Sequence, residues 1–227
     1  MRIRHKPWAR PELESCSFYV ASPSELRGRW ADEFGNGQPL HMELGCGKGG
    51  FIADMAAQHP AVNFLAIDLK SEMLVLAKRN LEAKDAHASA HVRLMSQDIE
   101  RSGQMLAPED KIERIYINFC PPWPKERDKK HRLTHPRQLN QYRLFLQEGG
   151  EIWFKTDDDG LFEESLRYFD QCGFEICYQT WDLAKSGFPG SAPTEHEEMF
   201  TRMGKKIKFL IAVADHTGHS VSFSPAE

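Results

Sequence analysis

Apolar and polar positions along the chain alternate between two periods. Seven short runs have strand length: Leu40–Leu44, Val62–Ile67, His91–Met95, Ile112–Phe119, Glu151–Lys155, Phe174–Thr180 and Lys206–Val213. Val62–Ile67 is continuous rather than alternating, the pattern of a strand buried on both faces. Between these runs, Phe51–Gln58, Ser71–Lys84, Pro136–Gln147 and Leu161–Gln171 carry helical spacing. In Ser71–Lys84 the apolar positions are Met73, Leu74, Leu76, Ala77 and Leu81. Gly149-Gly150 reads as the end of the helix that starts at Pro136. Strands alternating with helices predict an α/β fold, with a mostly parallel seven-stranded sheet and helices on both faces. No helix is predicted between Phe174–Thr180 and Lys206–Val213, so the last strand is expected to run antiparallel.

Outside these elements, residues 1–37 read as a basic N-terminal arm and a connector ending at Gly35-Asn36-Gly37. Residues 38–215 form the domain, and 216–227 a loosely ordered tail. At 227 residues, with 41% hydrophobic and 27% charged positions, the chain fits one soluble globular domain. No apolar run reaches membrane length and the N-terminus lacks a secretion signal. The five cysteines, Cys16, Cys46, Cys120, Cys172 and Cys177, show no CxxC pair or disulfide-framework spacing, which predicts reduced thiols in a cytoplasmic protein. A net charge of −4 speaks against a polyanionic partner, but its distribution speaks for one. Arg2, Arg4, Lys6 and Arg10 stand without an acid, and Lys125, Arg127, Lys129, Lys130 and Arg132 face only Glu126 and Asp128.

Chemistry enters at the end of the first strand. Gly45, Gly47 and Gly50 satisfy G-x-G-x-x-G, which opens the possibility of a dinucleotide site. Glu43 precedes these glycines, Asp68 ends the second strand, and Asp98 follows the third. Singly, each acid reads equally well as a cap or loop residue. A pyrophosphate would be repelled by Glu43, whereas a sulfonium and an ammonium would be attracted by it. Together the acids and glycines resemble the adenosylmethionine site of the Rossmann-like class I methyltransferases. That resemblance implies S-adenosyl-L-methionine, with Glu43 near its methionine end, Asp68 on the ribose, Asp98 at the adenine pocket, and no metal.

The fourth strand runs into INFCPPWPKERDKKHRLTHPRQ, a rigid Pro-Pro-Trp-Pro loop followed by a basic run. This stretch resembles the signature of the tRNA (guanine-N7-)-methyltransferase family, in which the strand leads into Asp-Pro-Trp-Pro-Lys. Two further motifs agree in order: Lys155-Thr156-Asp157 matches the family's Thr-Asp, and Thr194-Glu195-His196-Glu197 before Met199-Phe200 matches its Thr-x-Tyr-Glu block. The similarity spans about residues 38 to 212. It implies methyl transfer to N7 of a guanine in tRNA, in the variable loop, by a monomer or homodimer with no membrane partner. Substrate would lie at Lys125, Asp157, Thr194, Glu195, His196 and Glu197, and RNA at Arg127, Lys129, Lys130 and Arg132. Cys120 and Pro121 would border the cofactor, with Pro121 and Asp157 at the catalytic positions.

The residue chemistry stands beside the resemblance. Guanine presents N1–H and N2–H₂ donors on one edge and N7 and O6 acceptors on the other. Asp157 or Glu197 suits the donor edge, and Lys125 suits O6 or a phosphate. The plainer alternatives are Asp157 as a helix cap and Thr194 with Glu197 as a capping pair. Pro121 departs from the family, which has Asp there. Guanine N7 bears a lone pair and no proton, so it needs no general base, and activity is expected to survive. Asn118, the Cys120 carbonyl or Asp157 are the candidates to substitute for the missing acid. Three other readings stay open. Cys120-Pro121-Pro122-Trp123 also resembles the (Asn/Asp)-Pro-Pro-aromatic loop of exocyclic-amine methyltransferases, although Cys120 is a poor acceptor. A non-catalytic tRNA-binding relative and a nicotinamide-dependent oxidoreductase are the others.

Overall fold

The protein is described from a computed structural model covering residues 6–84, 87–189 and 192–214. The elements in chain order are α1 (Ala9–Glu14), α2 (Trp30–Phe34), β1 (Leu40–Leu44), α3 (Gly50–Gln58), β2 (Asn63–Asp68), α4 (Ser71–Lys84), α5 (Ala88–His91) and β3 (Val92–Ser96). They continue with β4 (Ile112–Asn118), α6 (Pro136–Phe145), β5 (Leu146–Thr156), α7 (Asp159–Gln171), β6 (Phe174–Thr180), α8 (Leu183–Ser186), α9 (Glu195–Arg202) and β7 (Lys208–Ala214). The sheet order is β3-β2-β1-β4-β5-β7-β6. β3, β2, β1, β4 and β5 pair in parallel, and β7 inserts antiparallel between β5 and β6. The chain runs outward from β1 to β2 and β3, then crosses back to β4 on the other side of β1, which opens a crevice at the carboxyl end of β1 where ligands of such sheets bind.

Strand alternation divides the core into two layers. Met42, Leu44, Ile117 and Phe154 face α2, α6 and α7 with Trp30, Tyr142, Phe145 and Phe162. Phe64, Tyr116, Trp153 and Phe209 face α3 and α4 with Phe51, Ile52 and Leu74. Because successive side chains point to opposite faces, Glu43, Asn118 and Lys155 share the second face. Asn118 and Lys155 are direct partners across β4 and β5.

Three expectations are corrected. The helix from Pro136 ends at Phe145, and β5 starts at Leu146. Gly149 and Gly150 lie inside that strand, where the β4 register shifts between Ile112 and Arg114. A Cβ at Gly150 would come 2.9 Å from the Gln147 carbonyl oxygen and 3.1 Å from that of Ile112. The glycines therefore serve a strand irregularity and not a helix end. Secondly, the β6–β7 connection carries helices α8 and α9; α9 buries no residue fully, so its apolar signal is weak. Thirdly, residues 6–37 are folded onto the domain. α1 buries Ala9 and Leu13, and Trp30 is buried with its Nε1 donating to the Met105 carbonyl at 2.9 Å. Beyond α1, Leu94 of the edge strand β3 donates to the Phe18 carbonyl and accepts from the Val20 amide, both at 2.8 Å. Arg2, Arg4 and the tail from 216 lie outside the described residues. The five cysteines are free thiols, four of them buried.

Candidate active site

A cleft of about 560 Å³ opens at the carboxyl end of β1. Its floor is the glycine turn after Leu44. Gly45 and Gly47 have φ of +79° and +54°, and a Cβ on either would meet nothing within 4 Å, so both face open space. Gly49 has a different reason: a Cβ there would lie 2.5 Å from that of Ala77. It lets α3 pack against α4, the role G-x-G-x-x-G would assign to Gly50. The turn is tied to β2, with Gly45 and Cys46 amides donating to the Ile67 carbonyl. The Gly47 amide donates to Asp68 Oδ2 at 3.0 Å, and Lys70 donates to its Oδ1 at 2.8 Å.

Glu43 sits beneath this turn, 2% exposed. Asn118 donates to its Oε1 at 3.0 Å, and Oε2 is buried with no partner among the described residues. Burial pushes its carboxyl up to about 7, against the pull of the Asn118 hydrogen bond. Burial also raises Asp68 despite its backbone donors. Two carboxylates with raised affinity for protons, one oxygen unsatisfied, and a side-chain-free cradle beside them fit a ligand carrying positive charge. Glu43, Gly45, Gly47 and Asp68 are thus brought together. Asp98 is not among the cleft residues: its carboxylate caps the next turn, accepting from the Glu100 amide at 3.0 Å.

The opposite wall is the first turn of α9. Thr194 is its N-cap, accepting from the Glu197 amide at 2.9 Å, so only the Thr194 half of the expected capping pair forms, alongside placement in the cleft. Glu195 reaches Lys48 at 3.4 Å, and His196 stacks on Phe119 with ring centroids 5.9 Å apart. Glu197 turns away from the cleft to Lys155, whose Nζ lies 2.7 Å from Oε2 and 3.1 Å from the Ala192 carbonyl oxygen. Burial lowers the Lys155 ammonium's affinity for its proton and Glu197 opposes that shift. Lys155 and Asn118 are the residues whose structural part the sequence least revealed. The available signal was strand parity, which places both on the face of Glu43.

The Pro-Pro-Trp-Pro loop begins at Phe119 and turns on two left-handed residues, Phe119 (φ +53°) and Trp123 (φ +42°). Each non-glycine residue in that region costs about 1–3 kcal/mol and persists only where its surroundings enforce it. The turn at Phe119 carries Cys120 into the core and leaves Pro121 exposed, so neither lines the cleft. Burial pushes the Cys120 thiol up to about 12, so it stays a neutral thiol in the core, outside the cleft. Trp123 is half-exposed beside His131, which contacts Glu100 at 2.5 Å.

Two further placements correct the sequence reading. Asp157 lies outside the cleft, its Oδ2 2.6 Å from Lys205 Nζ, and the cap of α7 is Asp158, not Asp157. Within the basic run, Arg132 is 3% exposed: its Nε donates to the Pro122 carbonyl at 2.7 Å and its guanidinium contacts Glu164 at 2.5 Å. Lys129 lies between Glu126 and Glu164 at 2.7 and 2.9 Å. A phosphate would have to displace these carboxylates; Arg132 is buried, whereas Lys129 is partly exposed at the surface. Lys125, Arg127 and Lys130 remain exposed.

The chain matches the family model described as putative methyltransferase over residues 37–210. It is 59% identical over 216 residues to the tRNA (guanine-N(7)-)-methyltransferase of Clostridium perfringens (strain SM101 / Type A), covering 93% of this chain and 99% of that protein. The protein of the same name from Acetivibrio thermocellus is 55% identical over 215 residues, with 93% and 99% covered. The chain belongs to the tRNA (guanine-N(7)-)-methyltransferase family. Solved structures agree in fold. A putative S-adenosylmethionine dependent methyltransferase from Listeria monocytogenes aligns with TM-score 0.52 at 17% identity, over 83% of this chain and 97% of that one. An antibiotic related methyltransferase aligns with TM-score 0.57 at 14% identity, over 82% and 92%. The fold of this tRNA (guanine-N(7)-)-methyltransferase family member is thus that of the class I methyltransferases, and the oxidoreductase reading falls away.

Proposed function

We propose that the protein transfers a methyl group from S-adenosylmethionine to N7 of a guanine in the variable loop of tRNA. The observation that carries this reading is Glu43, a buried carboxylate with an unpartnered oxygen beside a glycine cradle, next to the Trp123 loop. When bound, the cofactor supplies an electrophilic methyl group on a sulfonium. Glu43, Gly45, Gly47 and Asp68 would hold it.

The rest belongs to the chain's own residues. Guanine N7 attacks with its lone pair and no proton leaves it, so the protein need only orient the base and accept a cationic product. Thr194, Glu195 and His196 form the wall against which the base is oriented, and the exposed Glu195 carboxylate suits its N1–H and N2–H₂ edge. Asp157 takes no part in this arrangement. Lys125, Arg127 and Lys130 meet phosphates, and Trp123 offers a face for stacking. Pro121, exposed and outside the cleft, is compatible with activity because no step needs an acid there.

Incubating bulk tRNA with the protein and S-adenosylmethionine, followed by nucleoside mass spectrometry, tests the proposal. 7-Methylguanosine mapped to the variable loop is expected. N-methylated exocyclic amines, or cofactor binding without any methyl transfer, would overturn it.

A further inference from the structure

We propose that Glu164, on α7 and outside the cleft, is a positioning residue for tRNA methylation, holding the Trp123–Lys125 platform through Arg132 and the Pro122 carbonyl. This rests on the function proposed above. Three side-chain donors converge on the Glu164 carboxylate. Its Oε2 accepts from Arg132 at 2.5 Å and from the Tyr168 hydroxyl at 2.9 Å, and its Oε1 lies 2.9 Å from Lys129 Nζ. Arg132 passes the hold on, donating its Nε to the Pro122 carbonyl at 2.7 Å, one residue before the left-handed Trp123. Burial alone would raise the Glu164 carboxyl, but hydrogen bonds from Lys129, Tyr168 and Arg132 outweigh it and hold it at about 2. The anchor is therefore ionised at every working pH.

The loop needs such an anchor. Two non-glycine residues with positive φ, Phe119 and Trp123, bracket Cys120, Pro121 and Pro122. Phe119 is fixed from the cleft side by its backbone N–H, which donates to the Lys155 carbonyl, and by the rings of His196 and Phe200. On the outer side, Arg132 on Glu164 and His131 on Glu100 supply the restraint. Removing the Glu164 charge then has two opposed effects. It removes one of the two carboxylates that hold Lys129, leaving Glu126, and so raises the local positive charge, which favours RNA binding; it also loosens the platform, which lowers turnover. A purely electrostatic role gives only the first effect.

The test is Glu164→Gln in the full chain, read by kcat, tRNA Kd, cofactor Kd and circular dichroism. The expected result is a kcat lower by roughly 10- to 100-fold, the range that small misplacements cost. The tRNA Kd should be unchanged or tighter, and the cofactor Kd within about twofold. Arg132→Lys, which cannot bridge Glu164 and the Pro122 carbonyl with one planar fork, should reproduce the kcat loss, and the double variant should be no worse than the weaker single. An unchanged kcat, or weaker tRNA binding at unchanged kcat, overturns the proposal. If Glu164→Gln fails to fold, Tyr168→Phe removes one bond to the same carboxylate. A kcat lower by about two- to fivefold supports the anchor, and an unchanged kcat overturns it. The Trp123 contribution to fluorescence, taken as the difference from Trp123→Phe, should shift in Glu164→Gln whether or not tRNA is methylated. No shift overturns the positioning role, whereas a native protein without methyl transfer overturns the function alone.

Discussion

Asn118 donates its side-chain amide to Glu43 Oε1 at 3.0 Å, leaving Glu43 Oε2 as a buried oxygen without a partner among the described residues. The pair joins the ends of two neighbouring strands in the cleft, and the carboxyl's pKa of about 7 sets a pH dependence. A positively charged cofactor binds the ionised carboxylate, so its affinity should fall as pH drops below about 7, by up to tenfold per unit. The folded-state value lies above the ordinary 4.5, so Glu43 stabilises the ligand-free protein fully below that value. That stability is lost as pH rises through about 7. The cofactor-induced rise in Tm should therefore grow between pH 5.5 and 8. Calorimetry and thermal melts of the native protein and Glu43→Gln check this; a pH dependence kept in the variant would assign it elsewhere.

Lys155 and Glu197 tie β5 to α9 through a contact of 2.7 Å with the lysine almost wholly buried. Lys155→Met should destabilise the protein by about 3 kcal/mol, since it strips the partner from a charge held in a mostly desolvated place. Adding Glu197→Gln should restore part of that loss. Urea denaturation of the two variants measures it, and equal stability of single and double variants would show that the charges act independently.

Lys125, Arg127 and Lys130 are the exposed cations of the loop region, whereas Arg132 is internal. Alanine at the three exposed positions should reduce the slope of log K against log salt for tRNA by roughly 2 to 3. The fold should be unaffected. Arg132→Ala should instead lower thermal stability, because Pro122 and Glu164 lose their shared partner. An undiminished slope in the triple variant would move the RNA surface to other basic residues.

Pro121 stands where the resemblance to the family motif implies an acid, yet it is exposed and outside the cleft. Pro121→Asp should change kcat by less than about tenfold, and steady-state methylation assays settle the point. A native protein that is inactive and gains turnover with Asp would give that position an indispensable charge.

The strand pattern made the sheet legible because apolar runs of strand length need only local periodicity. That Glu43, Gly45, Gly47 and Asp68 line one cleft was legible for a similar reason, since all four sit at the carboxyl ends of neighbouring strands. The sequence misled where a charged side chain had a choice of partners. Arg132 and Lys129 read as solvent-facing cations until α7, some thirty residues on, brings Glu164 beneath them. Asp157 read as a substrate acid until Lys205, from the turn before β7, took its carboxylate. Gly149-Gly150 signalled a break but not its kind, because a bulge and a helix end both ask for residues without side chains.

The pairing of Leu94 with Phe18 and Val20 closes one margin of the sheet with a stretch of chain that precedes the family match at residue 37. A protein shortened to that match would uncover the Leu94 amide and carbonyl on the edge strand β3, and unpaired edge groups are a template for a second copy to join. A shortened chain should therefore associate more readily than the full one, which size-exclusion chromatography of the two would check.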